Sequence, residues 1–306
     1  MSTRRPLTRR QLTRRQVTAR LAAAPFGAGL FQPKPAGAFA ASLQNDLAAI
    51  EAKVSGRLGV AVLDTASQAR IDYRGNERFP LCSTFKVLAV SAVLKRVEAG
   101  REHLDRGFVL KRADLVAYSP VLKDRIGDAI TLAELCAAAM TESDNTAADF
   151  VLKSIGGPAA VTAYARTIGD MVTRLDNNEP LFSRNKPVGL AKADMTTPMA
   201  MVNDLQAIVL GDALAPSSRE QLKAWLLGCK TGDKRLRAGL PAGWQCGEKT
   251  GSDASHGSTN DIGLLWPPQQ RPPVIVAAYL TQTKTKYEDR EAALADVARV
   301  VVGALG

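Results

Sequence analysis

The sequence predicts an α/β protein of the α+β type: an antiparallel β-sheet formed by both chain ends, flanked by helices, with an all-helical lobe inserted between them. Strand-like runs lie over residues 58–73 and return over 244–282. Between them, residues 83–227 carry mostly helical spacing of apolar side chains. The expected division is an α/β part from residues 41–75 and 226–306 and a helical part from 76–225.

Leu43, Leu47, Ile50 and Val54 are spaced by four, three and four, which marks a helix over 41–54. Residues 58–63 are a continuous apolar run. Ile71 and Tyr73 alternate beyond a turn at 65–68, as in a hairpin. Val87, Leu88, Val90 and Leu94 fit a helix that follows Ser83. Thr131 with Glu134 three residues on is a capping box. Its helix should run to about Met140 and deliver Ser143 to the loop beyond. Further helices are expected over 145–152, 158–167, 197–210 and 217–227. Residues 170–196 show no period, and a loop that long inside a compact domain is usually functional or disordered. Strands are expected over 244–251, 259–266 and 274–282. Leu294, Val297, Val301 and Leu305 give a closing helix its apolar face.

Residues 1–20 contain seven arginines and no acid, and an apolar run over 21–31 follows. That run is too short to span a bilayer, which takes about 20 residues. Ala38-Phe39-Ala40 is a small-x-small cleavage pattern. Together these mark residues 1–40 as a signal peptide, so the expected location is the periplasm or the medium. Thr13-Arg14-Arg15-Gln16-Val17 resembles the twin-arginine type; a Sec signal with extra positive charge is the alternative. Without the eight Lys and Arg of residues 1–40, the net charge falls from +10 to +2, with 32 basic and 30 acidic side chains. The excess charge is an export address and not a nucleic-acid surface. The closing helix is too short and plain for a membrane anchor, and a monomer is expected.

Cys82, Cys136, Cys229 and Cys246 include no Cys-x-x-Cys spacing, which argues against zinc or a thioredoxin-like site. Export permits disulfides; buried thiols are the expected state. Only His103 and His256 are present, too few for a histidine-rich metal centre. No cofactor motif appears. A Gly-x-Ser-x-Gly elbow is also missing, which leaves a Ser-His-Asp enzyme poorly supported.

Three short motifs carry chemistry in combination: Ser83-Thr84-Phe85-Lys86, Ser143-Asp144-Asn145 and Lys249-Thr250-Gly251. A serine hydroxyl is a poor nucleophile until something removes its proton. A lysine three residues later on a helix lies within reach of it. That amine acts as a base only if burial or a nearby cation lowers its pKa, and Lys249 could be such a cation. A serine at the start of a helix also offers its backbone N–H and the helix dipole to a developing oxyanion. A lysine and a threonine on a strand can hold a carboxylate, while Gly251 lets substrate lie against the backbone. Each motif alone is commonplace: an exposed helix pair, a helix cap, a turn.

In this order and in an exported chain, the three motifs resemble those of the class A serine β-lactamases. The resemblance covers residues 41–306. It implies that Ser83 attacks a β-lactam carbonyl and forms an acyl-enzyme, with Lys86 beside it in proton transfer. Ser143 would relay a proton to the leaving nitrogen, Asn145 would hold the substrate amide, and Lys249 and Thr250 would bind the substrate carboxylate. The N–H groups of Ser83 and Ser252 would form the oxyanion hole. Tyr118 matches an aromatic wall. Arg235 matches an arginine placed under the substrate carboxylate in some members; a solvated surface arginine is the alternative. Penicillin-binding transpeptidases share the first three motifs but keep their acyl-enzyme for a long time. Class A enzymes add a glutamate on a long loop, and Glu179-Pro180 within residues 174–180 fits that place.

The chain departs from the family pattern in several places. Ser183 stands where an asparagine usually helps hold the water. Asn177 stands where an arginine usually pairs with the aspartate matching Asp194; a looser loop, a broader substrate range and some loss of stability are expected. Cys82 precedes the serine as in the carbapenem-hydrolysing branch, but Asp253 occupies its partner's place, so that disulfide is absent. Arg235 favours carbapenem hydrolysis and Asp253 weighs against it. Cys136 lacks the partner seen in another branch, because Val90 occupies that place. The expected function is hydrolysis of penicillins and cephalosporins, conferring antibiotic resistance. The alternatives are a D,D-peptidase and a penicillin sensor that acylates without turnover.

Overall fold

Strand β1 (Arg57–Asp64) occupies an inner position of a five-stranded antiparallel sheet, although it comes near the start of the chain. Its neighbours are β2 (Arg70–Tyr73), from the same hairpin, and β9 (Val274–Thr281), from the far end of the chain. Strands β8 (Ser258–Trp266) and β7 (Gln245–Asp253) complete the order β2-β1-β9-β8-β7. The computed structural model describes Met1 and residues 36–178 and 193–305. The expected 1–40 leader therefore lies almost wholly outside the described residues, as does the middle of the 170–196 segment.

Alternation along the inner strands builds two cores. Ala61 and Leu63 of β1, Ile262 and Leu264 of β8, and Ile275, Ala277 and Tyr279 of β9 pack against the helical lobe. Leu58, Val60, Val62, Val274, Val276, Ala278 and Leu280 face the other way. There they meet α1 (Ala36–Val54) and the closing helix α8 (Tyr287–Leu305). The stripe read from the sequence, Leu43, Leu47, Ile50 and Val54, is 0–4% exposed, and each such side chain contributes roughly 2 kcal/mol. Helix α1 begins at Ala36, before the expected cleavage point.

Helix α2 (Phe85–Glu98) is buried on every side over its first ten residues, as befits the central helix of a lobe. Around it lie α3 (Leu132–Thr141), α4 (Asn145–Ile155), α5 (Pro158–Thr167), α6 (Pro198–Leu205) and α7 (Pro216–Leu227). The Thr131–Glu134 capping box is formed, with both reciprocal bonds present. The single helix expected over 197–210 is instead α6 followed by a π-helical turn, Gln206–Leu210, closed by Gly211 N–H donating to Gln206 O (2.8 Å).

Two short ribbons had no periodic signature: β4 (Gly107–Val109) with β5 (Ala129–Thr131), and β3 (Phe79–Pro80) with β6 (Met195–Thr196). The second ribbon positions the site. It ties the chain just before Ser83 to the returning stem of the long loop, and Leu81 N–H donates to Asp194 O (2.9 Å). The two stems are themselves paired, Arg174 with Met195.

Among the described residues no helix is long and apolar enough to cross a membrane, and no cluster of three His, Cys, Asp or Glu could hold a metal ion. All four cysteines are buried. Burial pushes the Cys136, Cys229 and Cys246 thiols up, which keeps them protonated and unreactive.

Candidate active site

Ser83 sits on one 3-10 turn, Cys82–Thr84, and α2 begins two residues later at Phe85. Two side chains hold the approach to this turn. Thr84 Oγ1 donates to Leu81 O (2.6 Å), and Asn260 Nδ2 on β8 donates to Pro80 O (2.8 Å). Strand β7 runs directly alongside. A Cβ at Gly251 would lie 3.0 Å from Cys82 Cβ and 3.2 Å from Ser83 N, so the close approach requires glycine there.

The Ser143 motif is delivered as expected, at the joint between α3 and α4. Asp144 is the N-cap of α4 and is fully buried. Its carboxylate accepts from Ala147 N (2.9 Å), Val121 N (3.0 Å) and Leu122 N (3.0 Å). The aspartate of this motif is thus structural, and it locks the segment bearing Tyr118 to the start of α4. Asn145 N–H donates to Tyr118 O (3.0 Å), and Asn145 Nδ2 to Ala117 O (3.0 Å). Cys82, Tyr118 and Ser143 all have left-handed backbone, with φ of 44°, 61° and 57°. Such conformations cost about 1–3 kcal/mol each in non-glycine residues, and here they gather around one cleft.

Two fully buried lysines converge on one hydroxyl. Lys86 Nζ donates to Ser143 O (2.8 Å) and Asn145 Oδ1 (2.7 Å) and lies 3.4 Å from Ser143 Oγ. Lys249 Nζ, from β7, donates to Ser143 Oγ (3.0 Å) and Thr250 O (2.9 Å). Burial, reinforced by the Lys86 ammonium, lowers the Lys249 pKa to about 7. The two amines share the Ser143 hydroxyl, and a charge on one disfavours a charge on the other.

The cleft has a volume of about 520 Å³. Its wall includes Ser83, Ser143, Asn145, Thr250, Gly251 and Ser252, with Tyr118 (59% exposed) at the rim. The three motifs read from the sequence are therefore in one place. Arg235 is not a surface arginine. It is 2% exposed and lies beneath the end of β7. Glu179 and Ser183 fall outside the described residues. The described part of their loop ends at Asn177 and Asn178; Asn177 Nδ2 donates to Asp194 Oδ2 (2.7 Å), and its N–H to Asp194 Oδ1 (3.0 Å). The Asn177 amide thus bonds the Asp194 carboxylate from the place where the resemblance puts an arginine.

Sequence reading missed four cleft residues: Glu142, Lys230, Thr231 and Tyr287. Glu142 adjoins the Ser143 motif and pairs with Lys230 (2.5 Å). Thr231 Oγ1 lies 2.5 Å from Thr250 Oγ1. Lys230, Thr231 and Tyr287 belong to no local pattern, and only tertiary structure brings them to the cleft.

A nucleophile-type serine on a tight turn, two lysines sharing a second serine, and hydroxyls beside a cationic anchor make up an acyl-transfer site for an anionic substrate. Residues 42–305 match the model of the β-lactamase enzyme family. The chain is 43% identical to β-lactamase OXY-1 of Klebsiella oxytoca, over 88% of this chain and 91% of that relative. It is 44% identical to β-lactamase Toho-1 of Escherichia coli, over 89% and 92%. Among solved structures, the ancestral (GNCA) class A β-lactamase superposes with a TM-score of 0.82 at 55% identity, covering 86% of this chain and 99% of that one. The chain belongs to the β-lactamase enzyme family, in class A.

Proposed function

We propose that this enzyme hydrolyses penicillins and cephalosporins through an ester on Ser83. Ser83 Oγ attacks the lactam carbonyl, with Lys86 beside it in proton transfer, an acceptor in the neutral amine form that the nearby Lys249 charge favours. The new C–O bond forms as the lactam C–N bond breaks, and Ser143 passes a proton to the departing nitrogen. Ser83 N–H and Ser252 N–H face the developing oxyanion. Asn145 holds the substrate amide, Tyr118 packs against it, and Lys249 and Thr250 hold the substrate carboxylate. Glu179 then takes a proton from water, which attacks the ester and returns the serine hydroxyl; Ser183 helps place that water. The observation that carries this reading is the single hydroxyl, Ser143 Oγ, held by both Lys249 Nζ (3.0 Å) and Lys86 Nζ (3.4 Å) in a cleft that Ser83 also lines. Support for Glu179 comes from the loop stems, which are hydrogen-bonded to the segment leading into Ser83.

Nitrocefin turnover with intact-mass measurement tests the proposal. Many turnovers are expected, none in Ser83→Ala, and a trapped adduct on Ser83 in Glu179→Ala. One stoichiometric burst in the wild type would instead identify a D,D-peptidase or a sensor, and undiminished steady-state hydrolysis by Glu179→Ala would remove that residue from its role. Residues 1–40 act as the export signal in this reading, so the mature enzyme is expected in the periplasmic or secreted fraction, as a monomer needing no cofactor.

A further inference from the structure

Arg235 has five N–H donors and no acceptor. The structure assigns all five. Nε donates to Glu291 Oε1 (3.3 Å), and Nη1 to Gly251 O (3.1 Å) and Asn260 O (2.7 Å). Nη2 donates to Ser252 Oγ (2.8 Å) and Tyr287 Oη (2.5 Å). The guanidinium is 2% exposed, so nothing remains with which it could grip a substrate directly. Its charge reaches the cleft through the two hydroxyls it holds.

Those hydroxyls have a fixed proton inventory. Each oxygen accepts from Arg235, so each must send its own hydrogen elsewhere. Ser252 Oγ and Tyr287 Oη are 3.3 Å apart, and one hydrogen can bridge them. With Ser252 Oγ as the donor of that bridge, the Tyr287 hydrogen is left for the cleft, which Tyr287 lines. Tyr287 is the first residue of α8, 39% exposed, and its ring forms part of the cleft wall. Two cations also lie near the ring: the Arg235 and Arg290 guanidinium carbons are 5.7 and 5.3 Å from its centroid. A phenol held rigidly and polarised by a cation is a strong donor to an anion.

We propose that Tyr287 is a specificity-determining residue whose phenolic hydrogen bonds the substrate's ring carboxylate, beside the Lys249–Thr250 anchor. The proposal rests on the β-lactamase reading above and adds a donor that no local motif signals. A merely structural Tyr287 would cover Arg235 and touch no substrate.

The test is Tyr287→Phe, which keeps the ring and the start of α8 and removes only the hydroxyl. For benzylpenicillin, KM is expected to rise about tenfold with kcat nearly unchanged, the size of one lost hydrogen bond to a charged group. The methyl ester of the same penicillin lacks the anion. Its inhibition constant against nitrocefin turnover needs no hydrolysis of its own, and it should be equal in wild type and variant. An unchanged KM for the acid, or an equal loss for acid and ester, overturns the proposal, since the second result is what simple packing gives. Intact mass of the wild type after benzylpenicillin exposure is read separately: absence of any Ser83 adduct or turnover would defeat the underlying reaction, whatever Tyr287 does.

Discussion

The molecule buries two pairs of like charges and resolves them differently. Lys86 and Lys249 meet across Ser143, and their ammonium groups find acceptors in Ser143 O, Asn145 Oδ1, Ser143 Oγ and Thr250 O. Asp170 and Asp204 meet beneath the stems of the long loop, in a crevice of about 270 Å³. Asp170 Oδ1 accepts from Val172 N (2.6 Å) and Thr173 N (3.0 Å). The Oδ2 atoms of both aspartates are buried with no N–H or O–H reaching them among the described residues. Burial, then the Asp170 charge, raises the Asp204 pKa well above the usual carboxylate range; Arg166 opposes this only in part. A proton on Asp204 turns the repulsive contact into a hydrogen bond to Asp170. The amines of the cationic pair donate to oxygens of Ser143, Asn145 and Thr250, whereas the acidic pair satisfies itself by taking up a proton.

Removing one member of the cationic pair should have the largest effect. Lys249→Ala is expected to lower kcat/KM by roughly 100-fold or more, because a desolvated anchor for the carboxylate is gone. Its melting temperature should not fall, because the repulsion with Lys86 goes too; a large fall would mean that the pair is cohesive and break the comparison. Asp144→Ala, which strips three backbone N–H groups of their buried acceptor, should cost roughly 3–5 kcal/mol in denaturant unfolding.

The pairs should also titrate in distinct ways. Lys249 is charged below about pH 7 and neutral above it, so binding of an anionic substrate weakens as pH rises through that value. An alkaline limb in kcat/KM near pH 7 is expected in the wild type. Lys249→Arg, always charged, should move the limb out of range. For Asp204 the folded pKa is raised, so the folded state holds a proton that the unfolded chain gives up near pH 4. Its stabilising contribution is present below that pH and is lost as pH rises through the folded value. Asp204→Asn should therefore melt higher than wild type at pH 8, with the gap closing toward pH 4. A gap independent of pH would mean that no proton is shared. The smallest effect is expected from Asn177→Arg, which restores a charge opposite Asp194 and should add about 1 kcal/mol; no gain in melting temperature would count against a loosened loop.

The regular parts of this fold were legible because they repeat. The α1 stripe, the hairpin from β1 to β2, the capping box at Thr131 and the last three strands all carry periods or turn chemistry that one segment displays alone. The central helix was legible only in outline, since burial on all sides erases the polar face that gives a helix its period. The two ribbons that sew Ser83 to the loop stem, and β4 to β5, are two or three residues long and exist only through their partners. The same limit applies to the site. Ser83, Lys86, Ser143, Asn145 and Lys249 stood in motifs, whereas Tyr287, Thr231 and Lys230 reach the cleft from segments with no signature. Arg235 shows the difference within one residue. Its presence was readable, but not its burial, because that depends on Glu291 and on two carbonyls of paired strands.

The pairing of β1 with β9 also bears on how the protein is made. Thr65 Oγ1 donates to Pro273 O across 208 residues of sequence, and β1 has no partner on that side until the last strand exists. While the chain is still on the ribosome, the sheet lacks its middle and both cores lack a face. Contacts this distant in sequence form slowly. A chain whose inner strand waits for its last strand completes neither core before its synthesis ends.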